Sequence, residues 1–206
     1  PRTLVMAVYG DMDVSRLEEK PMNRKEIITL SKPEEKIDEI LIFIKKQISD
    51  GNQIFWVCPL IEESKKLDYS AAVKKYIFLS KKFSNKVGLV HGGLNKDQKN
   101  DVLKKFLNRE IDILVSTTVI EVGIDFPNAN VIVIENSNKF GLSQLHQLRG
   151  RIGRGQNQGT CILLYKKNLS ENAKKRIKIL KSSNDGFFIA ERDMKLRGFG
   201  DVLGYQ

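Results

Sequence analysis

Residues 147–154 read QLRGRIGR, with Arg149, Arg151 and Arg154 set among Gly150, Gly153 and Gly155. Arginine is planar, permanently charged and able to grip a phosphate through two parallel N–H donors. Glycines let a backbone turn sharply and come close to a ligand. Arg151 and Arg154 are three residues apart, so a helical turn puts both on one face. Arginines aimed at a nucleotide and a surface cluster on nucleic-acid backbone both follow from that spacing, which does not separate them. A second group is LVSTTVIEVGIDFPN, 114–128, where an apolar strand runs into Ser116, Thr117 and Thr118 and then passes Glu121, Gly123 and Asp125. Hydroxyls and free amides past a strand end suit phosphate oxygens. Asp125 can accept from a ribose hydroxyl or orient an arginine, and an ordinary turn residue explains it too. The third group is His91-Gly92-Gly93, whose glycines leave room for a ligand beside a histidine able to donate to phosphate; turn chemistry explains the same residues. A GxxxxGK(S/T) loop is absent, and Asp38-Glu39, the one Asp-Glu pair, falls inside an amphipathic helix. The chain thus offers arginines to a nucleotide without an evident means of holding Mg²⁺ and the triphosphate.

The 206 residues carry a formal net charge of +10, and its location is informative. Residues 139–181 hold eleven Lys/Arg and one acid, Glu171, whereas the remainder holds 24 of each sign. A solvated lysine face accounts for part of this, the 174–181 cluster in particular; a phosphate-facing surface is the sharper reading, because clustered positive charge attracts polyanions. Cys58 and Cys161 lie in apolar runs with neither a CxxC nor a nearby histidine, so they read as buried small residues of a reducing cytosol. No apolar run approaches the ~20 residues of a membrane span. The N-terminus lacks the layout of a signal peptide and starts without Met, as though cut from a longer chain.

Positioning these residues requires the following elements. Strands are predicted at Glu26–Leu30, 53–59, 86–91, 111–116, 130–135 and 159–165. Between them fall helices. The first is opened by a Ser31/Glu34 capping box and stopped by Gly51, with Ile37, Ile40, Leu41, Ile44 and Ile48 inward; others cover 70–83, 95–107 behind Asn95, and 141–150. Alternating strands and helices imply a parallel sheet, and the unbroken apolar character of the strands implies cover on both faces. Ligands of such sheets bind beyond the carboxyl ends of the strands, where Pro59, His91-Gly92, Ser116-Thr117-Thr118 and the end of 130–135 fall. The tail reads as two helices joined at Asn184-Asp185-Gly186, with FGDVLGYQ as loop. It has no strands of its own and must dock on the main domain or on a partner.

QLRGRIGR resembles the sixth motif of superfamily 2 helicases, STTVIEVGID the fifth and QIFWVCP the fourth; HGGL resembles the segment between the fourth and fifth. With GDMDVS, WVCPLIEES and ERDMKLRGFGDVLG the resemblance covers nearly the whole chain and narrows to the RecG branch, with transcription–repair coupling factors as the near alternative. It implies an α/β fold: a RecA-like parallel sheet flanked by helices, followed by a C-terminal helical hairpin and loop. Residues 1–23 would be a connector from a first motor domain, 24–168 the second RecA-like domain, and 169–206 a translocation motif cut short at Gln206. The resemblance assigns Arg151 and Arg154 to the terminal phosphates of ATP as catalytic fingers. It sets Gly123, Asp125 and Gln147 near the nucleotide, and Ser116, Thr117 and Thr118 near the DNA backbone, with Pro59, His91, Gly92 and Arg149 joining that surface. Arg176, Arg197 and Gln206 would couple nucleotide turnover to movement. ATP and Mg²⁺ would be held mainly by the first motor domain. The expected partners are branched or duplex DNA and the first motor and wedge domains of the same polypeptide, in a bacterial cytoplasm with no membrane. A stand-alone basic nucleic-acid-binding module is the competing class.

Overall fold

The computed structural model describes residues 25–59, 65–117, 126–153, 155 and 157–203, with backbone alone for 65–68 and 197–203. The connector 1–23, Thr118, Gly123, Asp125, Arg154 and Gln206 lie outside the described residues, as does the Arg197 side chain. The strands are β1 (Ile28–Pro33), β2 (Gln53–Val57), β3 (Val87–Val90), β4 (Ile113–Ser116), β5 (Ala129–Ile134) and β6 (Thr160–Tyr165). The helices are α1 (Ile37–Ser49), α2 (Lys65–Lys82), α3 (Lys96–Leu107), α4 (Leu142–Arg149), α5 (Glu171–Ser182) and α6 (Gly186–Leu203). The strands form one parallel sheet in the order β1-β6-β5-β2-β4-β3.

Period-two alternation divides the apolar strand residues between two cores. Ile54, Trp56, Val115, Val133 and Ile162 face α1 and α2, meeting Ile40, Ile44, Ala72 and Leu79. Phe55, Leu114, Ile132, Ile134 and Leu163 face the other four helices, meeting Phe106, Leu142, Leu145, Ile177, Leu180 and Ile189. The sheet is therefore covered on both faces. The tail docks on the second core through Ile177, Leu180 and Ile189, so it is packed against the domain. Buried Gln53 fastens α3 to the sheet by donating to the carbonyls of Phe106 (2.6 Å) and Ile111 (2.8 Å).

Local signals placed some ends correctly. Asn95 caps α3 by accepting from the Gln98 N–H at 2.8 Å, and the Gln98 side chain accepts from the Asn95 N–H at 3.1 Å. Helix α1 ends at Gly51, with the N–H groups of Gly51 and Asn52 bonding the carbonyls of Ile48 and Gln47. Two expectations are corrected. Ser31 is no helix cap: it pairs with Leu163 inside β1, and the helix begins only after Pro33, through the 3₁₀ turn Glu34–Lys36. Parallel pairing with β6 outweighs one local side-chain bond, and Pro33 ends the ladder because it has no N–H. Residues 199–203, expected as loop, continue α6 to Leu203. Once a helix is nucleated, each added residue brings a hydrogen bond, which offsets the ~1 kcal/mol disfavour of each of Gly198 and Gly200.

Candidate nucleotide and nucleic-acid site

The residues singled out from sequence collect at two opposite edges of the sheet. Pro59, His91, Gly92, Ser116 and Thr117 meet at the carboxyl edge. The Ser116 carbonyl accepts from the Cys58 N–H at 2.8 Å, and the Thr117 N–H donates to Val90 at 3.2 Å, drawing the ends of β2, β3 and β4 together. Ser116 and Thr117 are buried, as is Pro59, while Gly92 is exposed with open space around it. His91 stacks edge-on against Tyr69, with ring centroids 4.7 Å apart. Its Nδ1 accepts from the Gly93 N–H at 3.1 Å, which fixes the proton of the neutral ring on Nε2. Desolvation first, then Lys99, holds its pKa below the usual histidine value.

The arginine run lies at the amino edge. Leu142, Leu145 and Leu148 bury one side of α4, and wholly buried Ile152 anchors the turn that follows. Gly153 has φ +69° and passes close to Ile27 and Gly159. A methyl group at Gly155 would overlap the Pro127 carbonyl oxygen. The turn is thus pinned to the segment that leads from the 114–128 loop into β5, so the ends of the two sequence groups meet although their beginnings do not. Arg151 stands on this turn, half-buried, and among the described residues its guanidinium has no hydrogen-bond or ion-pair partner. Gln147 is exposed one turn earlier on α4.

Arg149 overturns its expected role. It is 2% exposed, and its guanidinium donates to the Leu180 carbonyl (2.6 Å), Thr29 Oγ1 (3.2 Å) and His146 Nδ1 (3.2 Å). A side chain so enclosed does not face a phosphate backbone; it joins α4 to β1 and α5. Closeness in sequence put Arg149 and Arg151, two residues apart, in one apparent cluster, but the helix ends between them and sends one inward. Arg176, the hairpin arginine, is half-buried and donates to the Asn138 carbonyl at 2.9 Å. Asp193 of α6 accepts from Ser143 of α4 at 2.5 Å. Helix α4, which carries the arginine turn, is therefore clasped by both helices of the hairpin.

His146 gives this clasp a pH dependence. Arginine has no acceptor, so Nδ1 must accept from Arg149, which requires the neutral ring. Its pKa is depressed from 6.5, chiefly by burial, then by Arg149, with Asp185 opposing. A base whose folded pKa is lowered adds stability that is full above its unfolded pKa and is lost as pH falls through the folded value. Unfolding free energy should therefore drop from pH 7.5 to 5.5. His146→Asn, which keeps an acceptor without the titration, should flatten that drop in part, leaving His91's share; an identical slope in chemical denaturation would refute it.

Glu135 was missed. It directly follows β5 and accepts from the Trp56 indole at 2.9 Å while pairing with Lys75 at 2.7 Å, which ties α2 to the carboxyl edge. Its only sequence signal was an acid closing an apolar strand. Cys58 and Cys161 are buried and unbridged, and burial pushes the Cys161 thiol up to about 12. A cleft of about 660 Å³ opens between the start of β1 and the α5–α6 turn; Lys25 and Lys181 there are offset by Glu26 and Asp185, so no net charge draws an anion. Among the described residues, no three His, Cys, Asp or Glu side chains gather as metal ligands, and no helix is long and apolar enough to cross a membrane.

A family model described as the helicase conserved C-terminal domain matches residues 32–156. The ATP-dependent DNA helicase RecG of Bacillus subtilis is 48% identical over 99% of this chain, and that of Escherichia coli K12 is 45% identical over 99%. The chain spans about 30% of the length of each. A structure of RecG bound to a three-way DNA junction matches 98% of this chain, and 26% of its own, with a TM-score of 0.80 at 45% identity. The C-terminal domain of the DEAD-box protein Dbp5 matches 84% of this chain, and 98% of its own, with a TM-score of 0.53 at 20% identity, a likeness of fold alone.

Proposed function

The chain belongs to the family of helicase conserved C-terminal domains, and we propose that it serves as the second of two RecA-like motor domains in an ATP-dependent DNA helicase that remodels branched DNA, such as stalled forks and Holliday junctions. In this reading residues 24–168 form the motor domain, 1–23 connect it to the first motor domain, and 169–206 couple turnover to movement on duplex DNA. ATP sits between the two motor domains, and the first holds Mg²⁺ and most of the nucleotide. Arg151 and Arg154 reach the terminal phosphates from this side, with Gly123, Asp125 and Gln147 near the nucleotide.

The observation that carries the reading is Arg151. A permanently charged, half-buried guanidinium without a partner among the described residues, on a turn fixed by Ile152, Gly153 and Pro127, is a donor set in place before its acceptor arrives. Such preorganised charge stabilises a transition state without reorganisation at the moment of reaction. The carboxyl-edge group Pro59, His91, Gly92, Ser116 and Thr117, together with Thr118 next in sequence, takes the DNA backbone, without Arg149. Arg176, Arg197 and Gln206 belong to the coupling element, and the remaining partner is a wedge domain of the same polypeptide, working in the bacterial cytoplasm. The site is then half a site. The purified 206-residue chain should hydrolyse negligible ATP, with or without DNA; robust DNA-stimulated turnover by this chain alone would end the proposal.

A further inference from the structure

We propose that the exposed lysine face of α5 is a second nucleic-acid surface, one that takes the phosphate backbone of duplex DNA away from the β3–β4 edge. Lys174, Lys175, Lys178 and Lys181 are all exposed, and at 100° per residue they fall within about a third of the helix circumference, over a rise of about 10 Å. Opposite them, Ala173, Ile177 and Leu180 are buried. Some exposed helical lysines elsewhere are neutralised by a neighbouring acid, as Lys36 is by Glu39, Lys105 by Asp101 and Lys195 by Glu191. On α5 a single acid, Glu171, pairs with Lys174 at 2.7 Å, and among the described residues Lys175 and Lys178 have no carboxylate partner. Surplus positive charge of this kind, regularly spaced on one rigid face, suits a polyanion whose binding releases counterions.

Position makes this surface distinct. Helix α5 lies against β1, where Lys181 Nζ reaches Ser31 Oγ at 3.4 Å. Strands β1 and β3 are the two edges of the sheet, and five spacings of about 4.8 Å set them roughly 24 Å apart. The carboxyl-edge group at β3 and β4 and the α5 face therefore cannot share one short stretch of phosphates, and the second contact serves another segment of the duplex. The inference rests on the reading that this domain handles DNA.

The test is binding of a fluorescent DNA duplex to the 206-residue chain across a series of salt concentrations. The double change Lys175→Gln, Lys178→Gln should lower the slope of log affinity against log salt by about 2. The affinity lost between about 50 and 200 mM salt should then shrink about tenfold. Lys45→Gln, Lys46→Gln on α1 removes equal charge from exposed lysines over the other core and should leave the slope unchanged. Equal effects from the two pairs, an unaltered slope for the α5 pair, or binding to anionic phosphatidylserine vesicles without binding to the duplex would each overturn the inference. In a full-length polypeptide Arg151→Ala should leave the salt slope of duplex binding unchanged, which separates failure here from failure of the arginine reading.

Discussion

Arg151→Ala in a full-length polypeptide carrying this chain is expected to lower ATP turnover about 10³-fold or more, the scale on which arginine fingers act in phosphoryl transfer. Arg154→Ala should do at least as much. Because the interaction is made with charge that develops in the transition state, the loss should appear in kcat with little change in KM. Lysine should rescue poorly, since a compact ammonium lacks the planar fork that meets two phosphate oxygens. Duplex affinity should be nearly unchanged. A loss of DNA binding with turnover preserved would instead mark the turn as a backbone-binding cluster, the reading that spacing alone left open. The effect should not pass through folding, because Arg151 makes no side-chain bond to any described residue.

Arg149→Ala has the opposite signature. Removal leaves the Leu180 carbonyl and the ring of His146 without their donor and opens a cavity beside Thr29 and Cys161, at a cost of about 2–4 kcal/mol. The cost is tempered because the lost charge was itself buried, with desolvation pulling its pKa down. Arg149→Met, which fills the space without the charge, should therefore cost less. Urea unfolding at pH 7.5 gives both values. If Arg149→Ala left stability within about 0.5 kcal/mol of the parent but weakened duplex binding, the surface role would be restored.

The difference between these two arginines marks what was legible in the sequence. Apolar strands such as NVIVIE and TCILLY announced a sheet covered on both faces, and the Asn95 and Gly51 signals set helix ends within a residue, because these are local or periodic features. The family likeness of QLRGRIGR was legible as well. The direction in which each arginine points was not. Arg149 turns inward because Leu180 and Thr29 wait for it, and these lie 31 and 120 residues away. Glu135 escaped notice for the same reason: its partners Trp56 and Lys75 come from other elements. Ser31 carried a sound local cap signal that lost to pairing with a strand about 130 residues later. The separation of Arg151 from Ser116 and Thr117 follows from strand direction, since in a parallel sheet the turn before β6 lies at the amino edge and the end of β4 at the carboxyl edge.

The central claim is that this chain carries one side of a divided nucleotide site. Its most direct test is ATP turnover measured for the purified chain, for the separately purified N-terminal region containing the first motor domain, and for the two mixed, each with DNA. The account predicts negligible rates for either part and DNA-stimulated turnover on mixing that vanishes with Arg151→Ala. Turnover by the 206-residue chain alone, or full turnover by the N-terminal region without it, would contradict the account.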